Sequence, residues 1–290
     1  GDGQTSAEAT PTHVYDKAGV YQSRLIVTRQ NHPNVTIEGP RIMVYPERGS
    51  LLLSEPFTGP DLSEWDVVDE GAWQGPSQWQ VVTEGLTQTS NIWSPPADPA
   101  TLPQLGTYLL YRGGMNWKDY RVSFIMSSAD DDVLGVMIRF QDSTNYYRFS
   151  WDQERGYRRL VSQVDGVFRL LAEESIPYEI GKDYHVTIQT GGNLLEVRID
   201  GHVIFGGALQ VPNLSKGSVA LYSWYNNGAR FRDLTVEGNE ALPTTTGLAG
   251  SQEKRAKDIS DVPDGKQPCP SCPKEEPLTP DSDEQEGGES

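Results

Sequence analysis

Three adjacent carboxylates, Asp130-Asp131-Asp132, open an apolar strand pattern and give the sharpest chemical signal in the sequence. Like charges this close repel one another unless a cation or full solvation relieves them. Calcium takes about six to eight oxygens, and a loop between strands offers carboxylates and carbonyls together. A calcium ligand set is therefore one expectation for Asp130, Asp131 and Asp132, and a solvated turn is the other. The second signal is aromatic. Sugar rings stack on aromatic faces while amides and charged groups fix their hydroxyls. Trp93, Trp117, Trp151, Trp224 and Tyr225 form the pool, with Trp65 and Trp79 assigned to the core and Trp117 leaning that way. In Trp224-Tyr225-Asn226-Asn227-Gly228 a turn follows the aromatics directly, and binding residues concentrate on loops. The ligand-binding candidates are thus Trp224, Tyr225, Asn226, Asn227 and Arg148. The stretch Asp152–Arg159 mixes acids and bases around one hairpin and reads as a cross-strand charge network or an anion contact, with Arg148 and Arg158 on one face.

These residues need a scaffold, and the pattern that supplies it is uniformly β. Short apolar or alternating runs recur through residues 51–238, separated by Gly, Asp, Asn or Ser. Strands are predicted at 106–111, 120–127, 133–141, 145–151, 156–164, 167–174, 184–190, 194–199, 203–208, 217–224 and 230–236, and one helical turn at 61–65. Asp165-Gly166 and Asp200-Gly201 mark tight hairpins. So many short strands without an amphipathic helix predict a two-sheet jelly roll.

Composition divides the 290 residues further. After Gly238 there is no Trp, Tyr or Phe, and 12 acids face 5 bases. Such a segment cannot bury enough apolar surface to offset its ordering entropy, so a disordered acidic tail is expected over residues 239–290. The net charge of −17 leaves no basic face for a phosphate backbone, which argues against nucleic acid as partner. No apolar run approaches the ~20 residues of a membrane-spanning helix, so membrane insertion is not expected. Both cysteines, Cys269 and Cys272, lie in the tail, where two thiolates are half of what structural zinc needs; a local disulfide or an unused pair is the reading. The four histidines, His13, His32, His185 and His202, are scattered and fit no triad or metal motif.

Gly1-Asp2-Gly3, His13-x-Tyr15 and Gly19-x-Tyr21-x-x-x-Leu25-x-Val27 together resemble the second half of a polycystic-kidney-disease (PKD) domain, an immunoglobulin-like sandwich. The strands that precede this motif are missing, which leads to the expectation that the chain is a fragment. Downstream, the triple-Asp loop, Gly135, Arg139-Phe140-Gln141 and the aromatic strand Tyr146–Trp151 resemble the concanavalin-A-like jelly roll of the thrombospondin C-terminal domain. An opening Phe57, Leu62, Trp65 and a closing Phe231, Asp233, Leu234, Val236 recur in laminin-G-like and other lectin-like modules. The expected organisation is all-β: a partial PKD domain over 1–46, a two-sheet jelly-roll sandwich over 51–238, and the tail.

The resemblance implies structural calcium at the triple-Asp loop. It also implies first and last strands running side by side, which makes Glu55 and Asp233 a second candidate metal pair. Family members bind glycans, proteins or calcium, and some relatives are glycoside hydrolases. Laminarinase-type hydrolases carry Glu-x-Asp-x-x-Glu on one strand, which sets their carboxylates on one sheet face; that spacing is absent here. The expected function is an extracellular or cell-surface, non-catalytic adhesion module, calcium-stabilised and monomeric. It would bind a polysaccharide, a glycan or an extracellular surface protein as an appendage of a larger secreted protein. A glycoside hydrolase on the same sandwich and a structural spacer are the alternatives.

Overall fold

Period-two alternation of Val, Ile, Leu and aromatic residues with polar ones buries one face of each strand and builds the chain into sheets. The computed structural model describes residues 1–45, 49–94, 103–212 and 214–238. The predicted tail, with Cys269 and Cys272, lies outside the described residues.

The strands in chain order are β1 (Gly19–Arg29), β2 (His32–Val44), β3 (Ser50–Glu55), β4 (Trp65–Asp69), β5 (Trp79–Val82) and β6 (Gly85–Gln88). They continue with β7 (Thr107–Tyr111), β8 (Tyr120–Ser128), β9 (Val133–Asp142), β10 (Asn145–Asp152), β11 (Tyr157–Val164) and β12 (Val167–Glu174). The last six are β13 (Tyr184–Gly191), β14 (Leu194–Ile199), β15 (His202–Val203), β16 (Leu209–Gln210), β17 (Ser218–Trp224) and β18 (Ala229–Gly238).

Seven strands form one sheet, in the order β12-β11-β10-β9-β17-β7-β4. A second sheet of nine strands runs β15-β14-β13-β8-β18-β6-β5, with β16 on β14 and β3 on β18. The two pack face to face as a jelly-roll sandwich. Their shared core draws Leu134, Val136, Tyr147, Phe149, Trp151 and Leu221 from the first sheet. Val122, Phe124, Val186, Val197, Phe231 and Leu234 come from the second. At about 25 cal/mol per Å² of apolar surface, this interface dominates stability.

Both predicted Asp-Gly hairpins are present. Asp165 and Gly166 (φ 51° and 76°) turn β11 into β12, and Asp200 and Gly201 (φ 50° and 79°) turn β14 into β15. Paired positive φ values match the right-handed twist of the flanking strands, and these two residue types adopt them at low cost.

Three local expectations are corrected. The strand predicted over 203–208 ends at Val203, because Phe205, Gly206 and Gly207 all take positive φ and turn the chain before β16. The helical turn predicted at 61–65 is replaced by a turn in which the Asp61 carboxylate accepts from Ser63 N–H at 2.8 Å; the described helical structure is one 3₁₀ turn, Arg112–Gly114. Arg148 and Arg158 point to opposite faces of the seven-stranded sheet. Arg158 pairs across from Trp151 and lies over its ring, while Arg148 lies over Tyr222 on the other side.

The N-terminal segment folds as one long antiparallel hairpin of β1 and β2. Its motif residues touch one another: His13 contacts the Asp2 carboxylate at 2.7 Å and the Tyr15 ring at 4.5 Å, and Tyr15 stacks on Tyr21 at 4.2 Å. The hairpin is tied to the sandwich where Ala208 N–H donates to Arg41 O and Met43 packs with Leu194 and Ala208. Among the described residues no helix is long and apolar enough to cross a membrane.

Gly135 shows how closely the ladder is packed, since a Cβ there would fall 2.0 Å from the Phe149 carbonyl oxygen of β10. Gly135→Ala should destabilise the fold by about 1–3 kcal/mol through overpacking. Denaturant unfolding of the variant against the wild type measures this directly.

Candidate functional site

The acidic loop between β8 and β9 and the turn between β17 and β18 meet at one end of the sandwich, and Asn226 joins them. Its side chain is fully buried. The amide nitrogen donates to Asp132 O at 2.7 Å, and the amide oxygen accepts from Ser128 Oγ at 2.9 Å and Gly228 N–H at 3.0 Å. Gln88 Nε2 donates to the Asn226 carbonyl at 2.9 Å. From the far side Tyr178, through its hydroxyl, reaches Asp130 O at 2.8 Å and Asp132 O at 2.5 Å. A side chain predicted to face a ligand thus holds the loop that presents others. Asn227 remains exposed, and its backbone N–H donates to Asp130 Oδ2 at 2.8 Å.

The three carboxylates converge, with their nearest oxygens all within 4.8 Å of one another. Their environments differ. Asp132 is buried, and burial pushes its carboxyl up to about 7 against the pull of Arg155. Arg155 donates to Asp132 at 2.8 Å and to Asp152 at 3.2 Å, meets Glu154 at 2.7 Å and lies 4.8 Å over the Trp224 ring. Asp131 is also raised, by burial and then by its neighbour Asp130.

A calcium ion here would have to take the oxygens that are not already engaged. Asp130 Oδ1 and Oδ2 each accept a backbone N–H, and the carbonyl of Asp131 accepts two, from Gln153 and Glu154. The carbonyls of Asp130 and Asp132 face Tyr178 and Asn226. At Asp132 the neighbouring cation is the Arg155 guanidinium. The partly exposed carboxylates of Asp130 and Asp131 are what this corner offers to an ion.

Beside the acidic loop runs an aromatic series. Trp224 meets Tyr225 at 5.8 Å and Trp93 edge-on at 6.3 Å; Trp93 also contacts Tyr225 at 5.1 Å and Trp73 at 5.2 Å. A two-way backbone bridge joins Trp73 to Trp93. Trp224 is buried and Tyr225 half-buried, while Trp73, at 55%, is the most exposed tryptophan of the seven. The indole N–H groups of Trp93 and Trp224 are buried without a protein acceptor. Trp73 went unnoticed in the sequence because it sits in irregular chain, with no strand pattern around it. Arg155 was noticed only as part of a charge cluster.

The series continues onto the outer face of the seven-stranded sheet, where Tyr108, Tyr146, Tyr222 and Trp224 form a second buried cluster. Arg148 lies at its centre, fully buried, with its guanidinium 4.5 Å over Tyr222 and donating to Pro103 O at 2.8 Å. Gln104 bridges the same face, exchanging hydrogen bonds with Tyr157 and accepting from Arg159 at 2.6 Å. Arg148 therefore supports the platform from below. Glu55 and Asp233 lie on neighbouring strands. β3 does pair with β18, with Leu234 opposite Glu55, as the first-and-last-strand reading requires. Glu55 accepts from the N–H of Phe57 at 2.9 Å, and Asp233 is exposed at a bulge (φ 52°).

No known family model matches this chain, and no curated protein matches it in sequence. Solved structures do resemble it. A protein of unknown function with a galectin-like fold from Bacillus subtilis is 14% identical with a TM-score of 0.50, over 67% of this chain and 98% of that one. Carbohydrate-binding module CBM66 from Bacillus subtilis is 18% identical with a TM-score of 0.48, over 60% and 96%. A β-glucanase from Bacillus licheniformis is 13% identical with a TM-score of 0.45, over 66% and 98%. The first of these establishes a galectin-like β-sandwich for the jelly roll.

The raised carboxyl of Asp132 sets a pH dependence. A proton held more tightly in the folded than in the unfolded chain stabilises the fold fully below the ordinary carboxylate value of 3.8, and that contribution is lost as pH rises through about 7. Asp132→Asn should flatten the fall in stability between about pH 4 and pH 7 relative to the wild type. Thermal unfolding across that range checks it, and parallel curves would remove Asp132 as the cause.

Proposed function

We propose that this chain is a non-catalytic glycan-binding module that works at a cell surface or outside the cell, through the aromatic corner at the end of its seven-stranded sheet. The exposed ring of Trp73, braced edge-on by Trp93, carries the reading. Holding a large apolar ring in water costs free energy that a sugar face recovers by covering it. Polar groups that can fix hydroxyls lie at the Trp224 end of the same aromatic series: Arg155 over the Trp224 ring, and Asn227 and Asp131, whose N–H groups both bond the Asp130 carboxylate. Two indole donors without protein acceptors add to it, as oriented polar groups inside an aromatic site do.

The hydrolase alternative would draw on Asp132, with its raised pKa, and Asp152 as the carboxylate pair. Both are buried, and one guanidinium holds them together. A glycosidic bond has no room between carboxylates cross-linked in this way, so the corner fits binding better than bond cleavage.

Calcium enters this proposal in a restricted form. Asp130 and Asp131 keep lone pairs toward solvent, so an ion would sit at the rim and retain most of its water, since the inner position is held by Arg155. Its effect on stability would follow mass action. A rise in the unfolding midpoint with calcium over chelator, lost in Asp131→Ala, is the expected result; identical midpoints would leave Arg155 as the sole compensating charge.

For the glycan reading, Trp73→Ala should weaken binding to an insoluble plant or bacterial polysaccharide by about tenfold or more, equivalent to about 1.4 kcal/mol, with an unchanged melting temperature. Pull-down isotherms on cellulose, xylan and bacterial cell-wall preparations make the comparison. Equal affinity of variant and wild type on every support would overturn the assignment.

A further inference from the structure

We propose that the cleft between the N-terminal hairpin and the outer face of the nine-stranded sheet is a second binding site, for a neutral saccharide. The cleft encloses about 730 Å³, with Tyr15 and Tyr45 on one side and Ser123, Thr187, Gln189 and Thr235 on the other. The period-two pleat of β8, β13 and β18 accounts for that polar floor, because the alternate residues Val122, Phe124, Val186, Ile188 and Val236 face the core.

Electrostatics select the ligand class. Each cation lining the floor has its own anion: Arg121 Nε donates to Glu237 at 2.9 Å, and Arg198 Nε donates to Glu196 at 2.8 Å. Two matched pairs leave little net field for a charged ligand. What remains is hydroxyl and amide chemistry beside tyrosine rings, the lining that suits a sugar.

Two polar atoms point to a missing partner. Gln189 is 4% exposed and donates its amide N–H to Glu196 at 3.3 Å, while its amide oxygen has no protein partner. The Tyr45 hydroxyl is likewise buried without one. Burial holds its pKa well above the ordinary tyrosine value, so it remains a proton donor at neutral pH. Buried polar groups left unpaired are costly, and an unpaired acceptor and an unpaired donor lining one cleft match ligand hydroxyls, which can both donate and accept. This site shares no residue with the Trp73 corner and stands without it.

The test titrates the full chain in the Trp73→Ala background with cellotriose, xylotriose, mannotriose and, as a charged comparator, glucuronic acid. Backbone amide shifts are followed by NMR. At least one neutral trisaccharide should shift Ser123, Thr187 and Thr235, and the same shifts should be absent in Gln189→Leu with Tyr45→Phe. That double variant should stay folded: it removes two unpaired polar atoms, and Glu196, which loses the Gln189 amide, keeps Arg198 and the Met43 N–H. Thr187→Ala, which leaves both unpaired groups in place, serves if the double variant fails to fold and should weaken the shifts severalfold. The proposal is overturned if no neutral trisaccharide moves these amides, if only glucuronic acid does, or if the shifts survive loss of Gln189 and Tyr45.

Discussion

Asn226 has no access to water, so each polar atom of its carboxamide has to be satisfied by the protein around it. Its partners lie on separate stretches of chain: Ser128 at the end of β8, Asp132 at the start of β9, and Gly228 in its own turn, with Gln88 of β6 reaching its carbonyl. An apolar residue there would take the shared acceptor from Ser128 Oγ and the Gly228 N–H, at about 1–3 kcal/mol each, while Asp132 O would keep Tyr178 and Gln88 would keep the backbone carbonyl. The amide is therefore a gauge for the whole corner. It fixes how far the acidic loop stands from the aromatic turn, and hence whether Asn227, Arg155 and the tryptophans form one surface.

Arginine plays a related part elsewhere. In a chain with a net charge of −17, several guanidiniums are inside the fold. Arg139 donates to the carbonyls of Gly192 and Leu214 and pairs with Asp119 at 2.7 Å, closing the end of the sandwich opposite Asn226. Arg148 and Arg159 order the outer face of the seven-stranded sheet through tyrosine rings and carbonyls. A planar five-donor fork suits this use, because it can join several loop carbonyls at once while its charge is spread over rings and carboxylates.

The scaffold was legible because burial on one face of a strand writes itself into period two. Predicted strands such as 167–174 and 194–199 match β12 and β14 residue for residue, and the Asp-Gly hairpins followed from backbone sterics alone. Failure came where the signal is not periodic. The run 203–208 reads as a continuous apolar stretch, but its two glycines and the positive φ of Phe205 break the strand. The length of β2 depends on pairing with β1 across the hairpin, which no local pattern reveals. At the site, the position of the Asp130–Asp132 loop was readable from its charges. The burial of Asn226 and the exposure of Trp73 were not, because both are set by which distant loops converge at that end of the sandwich.

The pairing of β3 with β18 places Ser50 directly across from Gly238, at the same end of one antiparallel ladder. A load applied between these two residues acts across the hydrogen bonds and not along the strands, so the bonds are peeled singly and never share the force. Under tension the first event is therefore the stripping of β3 from an otherwise intact sandwich. The acidic loop, the aromatic corner and most of the core stay assembled while the module lengthens by one short strand. The jelly roll can thus act as a mechanical fuse that yields at its edge before it releases whatever its binding surface holds.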